Sequence, residues 1–325
     1  MTNTLTPIEV LRPVIQEGLE SCRNLNLPLL QNVAKKDAFQ SSIKWQVNTS
    51  TSASVGVAKS APTPAATSDV VKGASLEIGE AALIETVEIS RNEIVEAANI
   101  GTAPLQNLLT SHFQAKLEKM MISLEQYMFD GTGLVADAGI KGLAHVTAAG
   151  EYAGINPATY TAWNAIRSTN GTARPLSEDL LQKLDLSFKG RGHRYNALLM
   201  SPDMLAEFEA LFASTGNLTM TPSSELARNF GGASFAYKGQ PVVASPYATA
   251  NAVYFVDFAQ MSLHTRAATS DVTMKESGLN IQISDIKDTG RVVKYELAIF
   301  PQFQYTNRRA SGVITNLNQP VVFEA

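Results

Sequence analysis

Cysteine is almost missing from this chain: Cys22 is the only one in 325 residues. One thiol can form neither an intrachain disulfide framework nor a multi-cysteine zinc or iron–sulfur site, and it suits a reducing compartment. Histidine is scarce as well. His112, His145, His193 and His264 never fall within four residues of one another, so no helical pair of metal ligands exists. Charge is sparse and nearly balanced, with 17% charged residues and a formal net charge of -4. That balance gives no electrostatic reason to expect sequence-reading of nucleic acid. Long apolar runs are absent too: no stretch approaches the ~18 residues of a membrane span. The opening residues MTNTLTPIEVLRPVI show no basic region followed by an apolar one, so neither secretion nor a membrane partner is expected. There is no G-x-S-x-G elbow, no Walker A sequence and no calcium-loop spacing. The sequons at Asn48, Asn170 and Asn217 are accidental in a chain with no secretion signal.

What is present is a core. Hydrophobic residues make up 45% of the chain, and its length exceeds the roughly 250–300 residues at which one core stops growing, so two or more sub-domains are expected. Residues 1–40 read as an arm. Thr6-Pro7-Ile8-Glu9 matches a capping box with proline at the first helical position, and Ile8, Leu11, Ile15 and Leu19 form an apolar stripe that needs a partner surface. Ile43, Trp45 and Val47 alternate with polar residues as in a half-buried strand. The stretch TSTSASVGVAKSAPTPAATSD (49–69) follows, and alternation resumes at Leu76 and Ile78 and again at Val87 and Ile89. A Ser/Thr/Ala/Pro tract of this kind reads as a flexible linker by composition. Strands on both sides favour a long hairpin with a poorly packing tip, which must be supported by a neighbouring molecule.

Ser90-Arg-Asn-Glu93 is a second capping box, opening a short helix to about Ala98 that ends by Gly101. Thr102-Ala-Pro104 opens the longest helix, to about Phe129. Leu105, Leu109, Phe113, Leu117, Met121, Leu124 and Met128 keep three-or-four spacing along it. Residues 150–260 read as mixed α/β. Asn156-Pro157 caps a helix carrying Tyr160, Trp163 and Ile166, Ser177 caps a second through Leu186, and Ser201-Pro202 caps a third through Phe212. NALLMS (196–201), SFAYKGQPVVAS (234–245) and AVYFVDF (252–258) supply strands, and 260–325 returns to alternation at Ile281, Ile283 and Val293 to Ile299.

The stretch FDGTGLVADAGIKGL (129–143) has the glycine density of a phosphate loop. Phosphate loops lead into a helix N-terminus, where free N–H groups and the positive dipole end meet the anion. These glycines instead follow a helix, so Gly131 and Gly133 are expected to act as C-terminal caps with positive φ. Asp130-Gly-Thr-Gly133 is not an aspartic-protease triplet either, since Gly131 intervenes and no second copy exists. The sharpest basic cluster is Lys189-Gly-Arg191-Gly-His193-Arg194. It could meet phosphate or an acidic neighbour, but cations after a helix also offset its dipole. No catalytic residue, cofactor site or metal site is assigned.

The order of parts resembles the major capsid proteins of tailed double-stranded-DNA bacteriophages, the Hong Kong 97-like fold. The resemblance rests on VEISRNEIVEA (87–97), YMFDGTG (127–133), GIKGLA (139–144), YNALLMSPDM (195–204) and YKGQPVVAS (237–245) followed by AVYFVDF. It implies an α+β chain with an N-terminal arm at 1–40 and an extended β-hairpin loop at 41–90. The peripheral domain would hold 91–149, with a spine helix at 103–130, and the C-terminal strands of 261–325; the axial domain would be 150–260. By the same resemblance the chain is expected to self-assemble as pentamers and hexamers into an icosahedral shell around phage DNA, contacting that DNA non-specifically. Its other expected partner is a portal protein; since 1–40 leaves no room for a scaffold-like domain, a separate scaffolding protein, or none, is implied, and decoration proteins are left open. Its place would be the virion, assembled in the bacterial host cytoplasm. Gly131, Gly133, Gly139 and Gly142 are the expected structural turn after the spine helix. Ile43, Trp45, Val47, Lys59, Lys72, Arg191 and Arg194 are the candidate inter-subunit contacts. Some members cross-link Lys to Asn between subunits; Lys59, Lys72, Asn307 and Asn316 are available here, but no motif fixes a pair, so no cross-linking is expected. An encapsulin-like cargo shell is the alternative, and an α/β enzyme the outsider.

Overall fold

The computed structural model describes residues 25–49, 71–78, 81–213, 235–267, 273–276, 278–285 and 291–318. The first element, α1 (Pro28–Asn32), starts on a proline at its first turn, where the missing N–H is no loss. β1 (Ala34–Ala38) follows, then β2 (Ser42–Asn48) and β3 (Val71–Glu77). β2 and β3 pair antiparallel from Ser42↔Glu77 to Asn48↔Val71, as a hairpin requires. The next strand, β4 (Leu83–Ser90), leaves that hairpin and pairs along its whole length with a strand more than 200 residues later. The alternation at Val87 and Ile89 therefore belongs to a different sheet from the alternation at Leu76 and Ile78. The tract 50–70, with Lys59, and the Ile8–Leu19 stripe lie outside the described residues.

Two helices come next, α2 (Arg91–Ile100) and α3 (Thr102–Asp130). Gly101 separates them with φ 150, a conformation open to glycine. The Ser90 side chain makes no capping bond, so that box is a sequence pattern without its hydrogen bond. At 29 residues α3 is a rod of ~44 Å. One face of it, Phe113, Leu117, Met120, Leu124 and Met128, is buried almost completely. That face packs on the four-stranded sheet formed by β4, β11 (Thr273–Glu276), β12 (Leu279–Asp285) and β13 (Val292–Ile299), in the order β11-β12-β13-β4. Phe113 meets Tyr295 of β13 with ring centroids 5.7 Å apart, and Lys116 and Lys119 both reach Glu85 of β4. The C-terminal strands thus lie against the long helix, where the alternating pattern demanded an apolar partner.

A second core fills the middle of the chain. It sits under a six-stranded sheet in the order β5-β15-β9-β6-β8-β7. These strands are β5 (Ile166–Ser168), β6 (Ala197–Met200), β7 (Ala236–Tyr237), β8 (Gln240–Ala244), β9 (Val253–Val256) and β15 (Gly312–Ile314). Helices α5 (Glu178–Gly190) and α6 (Pro202–Ala213) make the two crossovers flanking β6. Leu181, Leu184 and Phe188 of α5 and Met204, Phe208 and Phe212 of α6 pack together with Leu198 and Phe255 of the sheet. Ser177 caps α5 through Leu180 N, and Ser201 caps α6 through Met204 N. The fully buried four-residue strands β6 and β9 read as continuous apolar runs, as strands with both faces covered do.

Two local expectations change. Residues 156–166 are not a helix. Asn156 Oδ1 accepts from Ala158 N, closing a turn, and Thr161–Trp163 is a single 3-10 turn before Ile166 enters β5 beside Gly312. The side-chain turn at Asn156 and the β-branched Thr159 and Thr161 outcompete helix propagation. Second, the last part of the 1–40 segment finds its partner surface within its own subunit. Leu27, Leu29, Leu30 and Val33 are buried in the core of the long helix, and β1 pairs parallel with β10 (Met261–Arg266), which pairs antiparallel with β14 (Pro301–Tyr305).

Candidate assembly surfaces

The glycine turn begins where α3 ends. Gly131 N donates to Tyr127 O at 2.9 Å, Gly142 N to Gly131 O at 2.8 Å and Gly133 N to Ile140 O at 2.8 Å. The chain thus doubles back on itself and lays 139–142 against the helix C-terminus. Gly133 and Gly139 have φ +84 and +70, as left-handed caps require. Gly131 does not: its φ is -53. Its reason is space. A Cβ there would stand 2.4 Å from Tyr127 O and 2.5 Å from Ile140 O, and one on Gly142 would stand 2.6 Å from Tyr127 O. The Asp137 carboxylate accepts from Thr132 N at 2.9 Å and also from Thr132 Oγ1, while the Gln302 amide donates to Gly139 O at 3.0 Å and to Glu77 O at 2.6 Å. The turn is a junction tying the long helix to β3 and β14. What it presents at the helix end is backbone carbonyl, the wrong polarity for phosphate.

The hairpin residues are largely spent within the subunit. Val47 is buried, and Trp45 packs half-buried on the core with its Nε1–H donated to Thr306 O at 3.0 Å. Ile43 is half-buried beside Leu76 across the pair. Lys72 Nζ stands 5.2 Å over the Tyr160 ring. The surface-facing apolar groups lie elsewhere. Phe39, at the bend between β1 and β2, is 86% exposed. Leu134 and Val135 project from the glycine turn, and Leu186 from α5, each more than half exposed.

The basic cluster sits at the end of α5. Arg191 and Arg194 are exposed, and Arg191 Nη1 donates to Asn164 O at 2.7 Å. Asp185, almost fully buried, binds Lys189 at 2.8 Å, Lys238 at 2.7 Å and the Tyr195 hydroxyl at 3.1 Å. Despite its burial these partners hold its carboxyl below the usual range. Around it opens a cleft of about 540 Å³ lined by Phe188, Lys189, His193, Arg194, Tyr195 and Lys238. Among the described residues no three His, Cys, Asp or Glu side chains converge as a metal site needs, and no helix is long and apolar enough to cross a membrane.

The interlocked sheets pack around one long helix, and several large apolar side chains face outward. The family model for the SU10 major capsid protein matches residues 10–318. The chain belongs to the SU10 major capsid protein family. Its fold is the Hong Kong 97-like α+β fold, and the capsid protein is a structural subunit of an icosahedral phage shell. The capsid of cyanophage A-1(L) is similar at TM-score 0.77 and 19% identity, covering 90% of this chain and 93% of that one. A gene-transfer-agent particle titled "Capsid of empty GTA particle computed with C5 symmetry" aligns at TM-score 0.60 and 12% identity, covering 91% of each chain. The SrpI encapsulin of Synechococcus elongatus PCC 7942 aligns at TM-score 0.56 and 13% identity, over 100% of this chain and 93% of that one. At these identities the structures speak to fold alone. No curated protein sequence matches.

Two residues of the capsid protein matter more than the sequence reading allowed. Glu125 is fully buried on α3, and its carboxylate accepts from Leu29 N at 3.0 Å, Leu30 N at 2.6 Å and Ser245 Oγ at 3.3 Å. It caps α1 from a distance, because α1 has no side-chain cap of its own. Burial pushes its pKa up to about 7 against those three hydrogen bonds. Its position four residues after Met121, next to Leu124, was the available signal: a charged residue on an apolar stripe. Arg308 is also fully buried. Its guanidinium donates to Val146 O at 2.6 Å, to Gly150 O at 2.9 Å and to Ala148 O, closing the C-terminus of α4 (Leu143–Thr147). Burial lowers its pKa to about 10. The basic pair Arg308-Arg309 is thus one fully buried structural clamp and one half-buried cation, a split that no local pattern announces.

Proposed function

We propose that this capsid protein closes as pentamers and hexamers around packaged double-stranded phage DNA. The observation that carries the reading is the family match over residues 10–318. In this reading residues 1–40 are the N-terminal arm, anchored through Leu27–Val33, and 41–90 the extended loop, its tip lying on a neighbouring subunit. The spine helix at 103–130 lies in a peripheral domain made of 91–149 and 261–325, and 150–260 form the axial domain around the capsomer centre. DNA is met non-specifically inside the shell. A portal protein completes the particle, with a separate scaffolding protein or none, and the particle is built in the bacterial host cytoplasm. The protein has no catalytic turnover, and no Lys–Asn cross-link joins its subunits.

The test is purification of particles from the source that makes them. Genome-length DNA inside and a portal protein at one vertex support the reading. Particles of this chain filled with a cargo enzyme and no DNA would instead favour the encapsulin-like alternative. A ladder of multimers surviving boiling in detergent and reductant would refute the absence of cross-links.

A further inference from the structure

We propose that the basic cleft at the end of α5 receives the acidic face of α6 from the next copy in a capsomer ring, a contact that rests on the shell reading above. Strand order sets the geometry. β5, β15, β6 and β8 run parallel, with β9 antiparallel between β15 and β6. A crossover helix runs opposite to the strands it joins. α5 therefore ends, with Lys189, Arg191 and Arg194, at the edge of the sheet where β6 begins. α6 starts, with Asp203, at the opposite edge, where β6 finishes. One subunit carries the two halves of a contact on opposite edges, which is the arrangement of a head-to-tail interface that closes into a ring.

The halves match chemically. At the basic edge Lys189 and Lys238 share the single Asp185 carboxylate. Arg194 has no ion-pair partner among the described residues, and burial first, with like-charge repulsion from Arg309 second, opposes the charge on Arg191. His193, which lines the cleft, keeps a buried Nε2 with no hydrogen-bond partner. Beside this cluster Leu186 stands 63% exposed on the outer face of α5. At the acidic edge Asp203, Ala206, Glu207 and Ala210 follow i, i+3, i+4, i+7 spacing and share one face of α6. Neither Asp203 nor Glu207 has a cation among the described residues. The small side chains of Ala206 and Ala210, both exposed, allow close approach and offer Leu186 an apolar floor. That leucine is why a protein helix is favoured over DNA: a phosphate backbone would cover the arginines but leave Leu186 in water. Pairing charges in this manner fixes partner and register.

Charge swapping tests it. Arg191→Glu with Arg194→Glu, and separately Asp203→Lys with Glu207→Lys, are expected to leave capsomers unformed under conditions where wild type assembles. All four changes together restore assembly, as does mixing the two double variants. The mixture makes a sharper demand. Alternating subunits close only in even-numbered rings, so native mass spectrometry shows hexamers and no pentamers. Melting curves establish that each variant is folded. Should a reversal unfold the subunit, Arg191→Gln with Arg194→Gln is used, and its assembly threshold concentration rises at least tenfold. Double variants that assemble like wild type, or folded ones that neither the quadruple change nor mixing restores, overturn the proposal. Normal shells that lose only their DNA would assign the cleft to nucleic acid and overturn it too. Failure of the wild type to form rings in the same preparation would instead contradict the shell reading.

Discussion

Gly131 and Gly142 face the same backbone from two sides, and neither leaves room for a methyl group. Gly131→Ala forces the junction between α3 and the returning strand apart and is expected to destabilise the subunit by about 1–3 kcal/mol, as overpacking does. Gly171, with nothing within 4 Å of its would-be Cβ, is the control: Gly171→Ala stays within about 0.5 kcal/mol of wild type. Denaturant melts of the two compare them directly, and equal stabilities would remove the packing account of the turn. Glu125 carries a pH signature. Its folded pKa of about 7 lies above the ordinary glutamate value of 4.5, so between them the folded state holds a proton that the unfolded chain has released. Stability from this group is complete below about 4.5 and falls as pH rises toward 7. The drop in melting temperature between those pH values shrinks in Glu125→Gln, which cannot ionise. An unchanged pH profile in the variant would show that Glu125 does not titrate in this range.

Between elements, single buried polar groups join parts that hydrophobic packing alone would leave free to slide. Arg308 joins the start of the C-terminal strand β15 to the end of α4 by a three-carbonyl fork, a geometry that an ammonium cannot copy. Arg308→Lys keeps the charge, yet is expected to cost about 3 kcal/mol because at least one buried carbonyl loses its donor. A melting temperature equal to wild type would contradict that. Trp45 does a similar service for the hairpin, anchoring β2 to Thr306 O. Trp45→Phe keeps most of the burial and loses about 1 kcal/mol, with faster amide exchange in β2 and β3 as the local readout. The long helix was readable because its stripe repeats without a break from Leu105 to Met128, and the α5–β6–α6 order because caps and an apolar strand alternate. What the sequence concealed was non-local. Nothing near Val87 says that β4 pairs with β13, and nothing near Leu29 says that its cap comes from residue 125. The helix expected at 156–166 failed for the opposite reason: a local Asn156 turn won where the reading trusted periodicity.

For the whole molecule, the exposed apolar groups and the fold lead to the same conclusion. Phe39, Leu134, Val135 and Leu186 are large hydrophobic side chains standing in water, and a lone subunit gains nothing from any of them. Neighbouring copies in a shell are expected to cover them, and obligate interfaces bury ~2,000–5,000 Å². The candidate contacts named from sequence divide between the subunit's own core and its surface. Trp45 and Val47 hold the hairpin's root on its own subunit, whereas Arg191 and Arg194 remain at the surface. Alternation identifies a half-buried strand without saying whose body buries it. The most direct test is to express the protein alone and image it by electron cryomicroscopy at concentrations where shells form. The account predicts closed particles of icosahedral symmetry, with pentamers at the vertices and the long helix lying in the shell wall. A protein that stays monomeric, or stops at a small closed oligomer under those conditions, would contradict it.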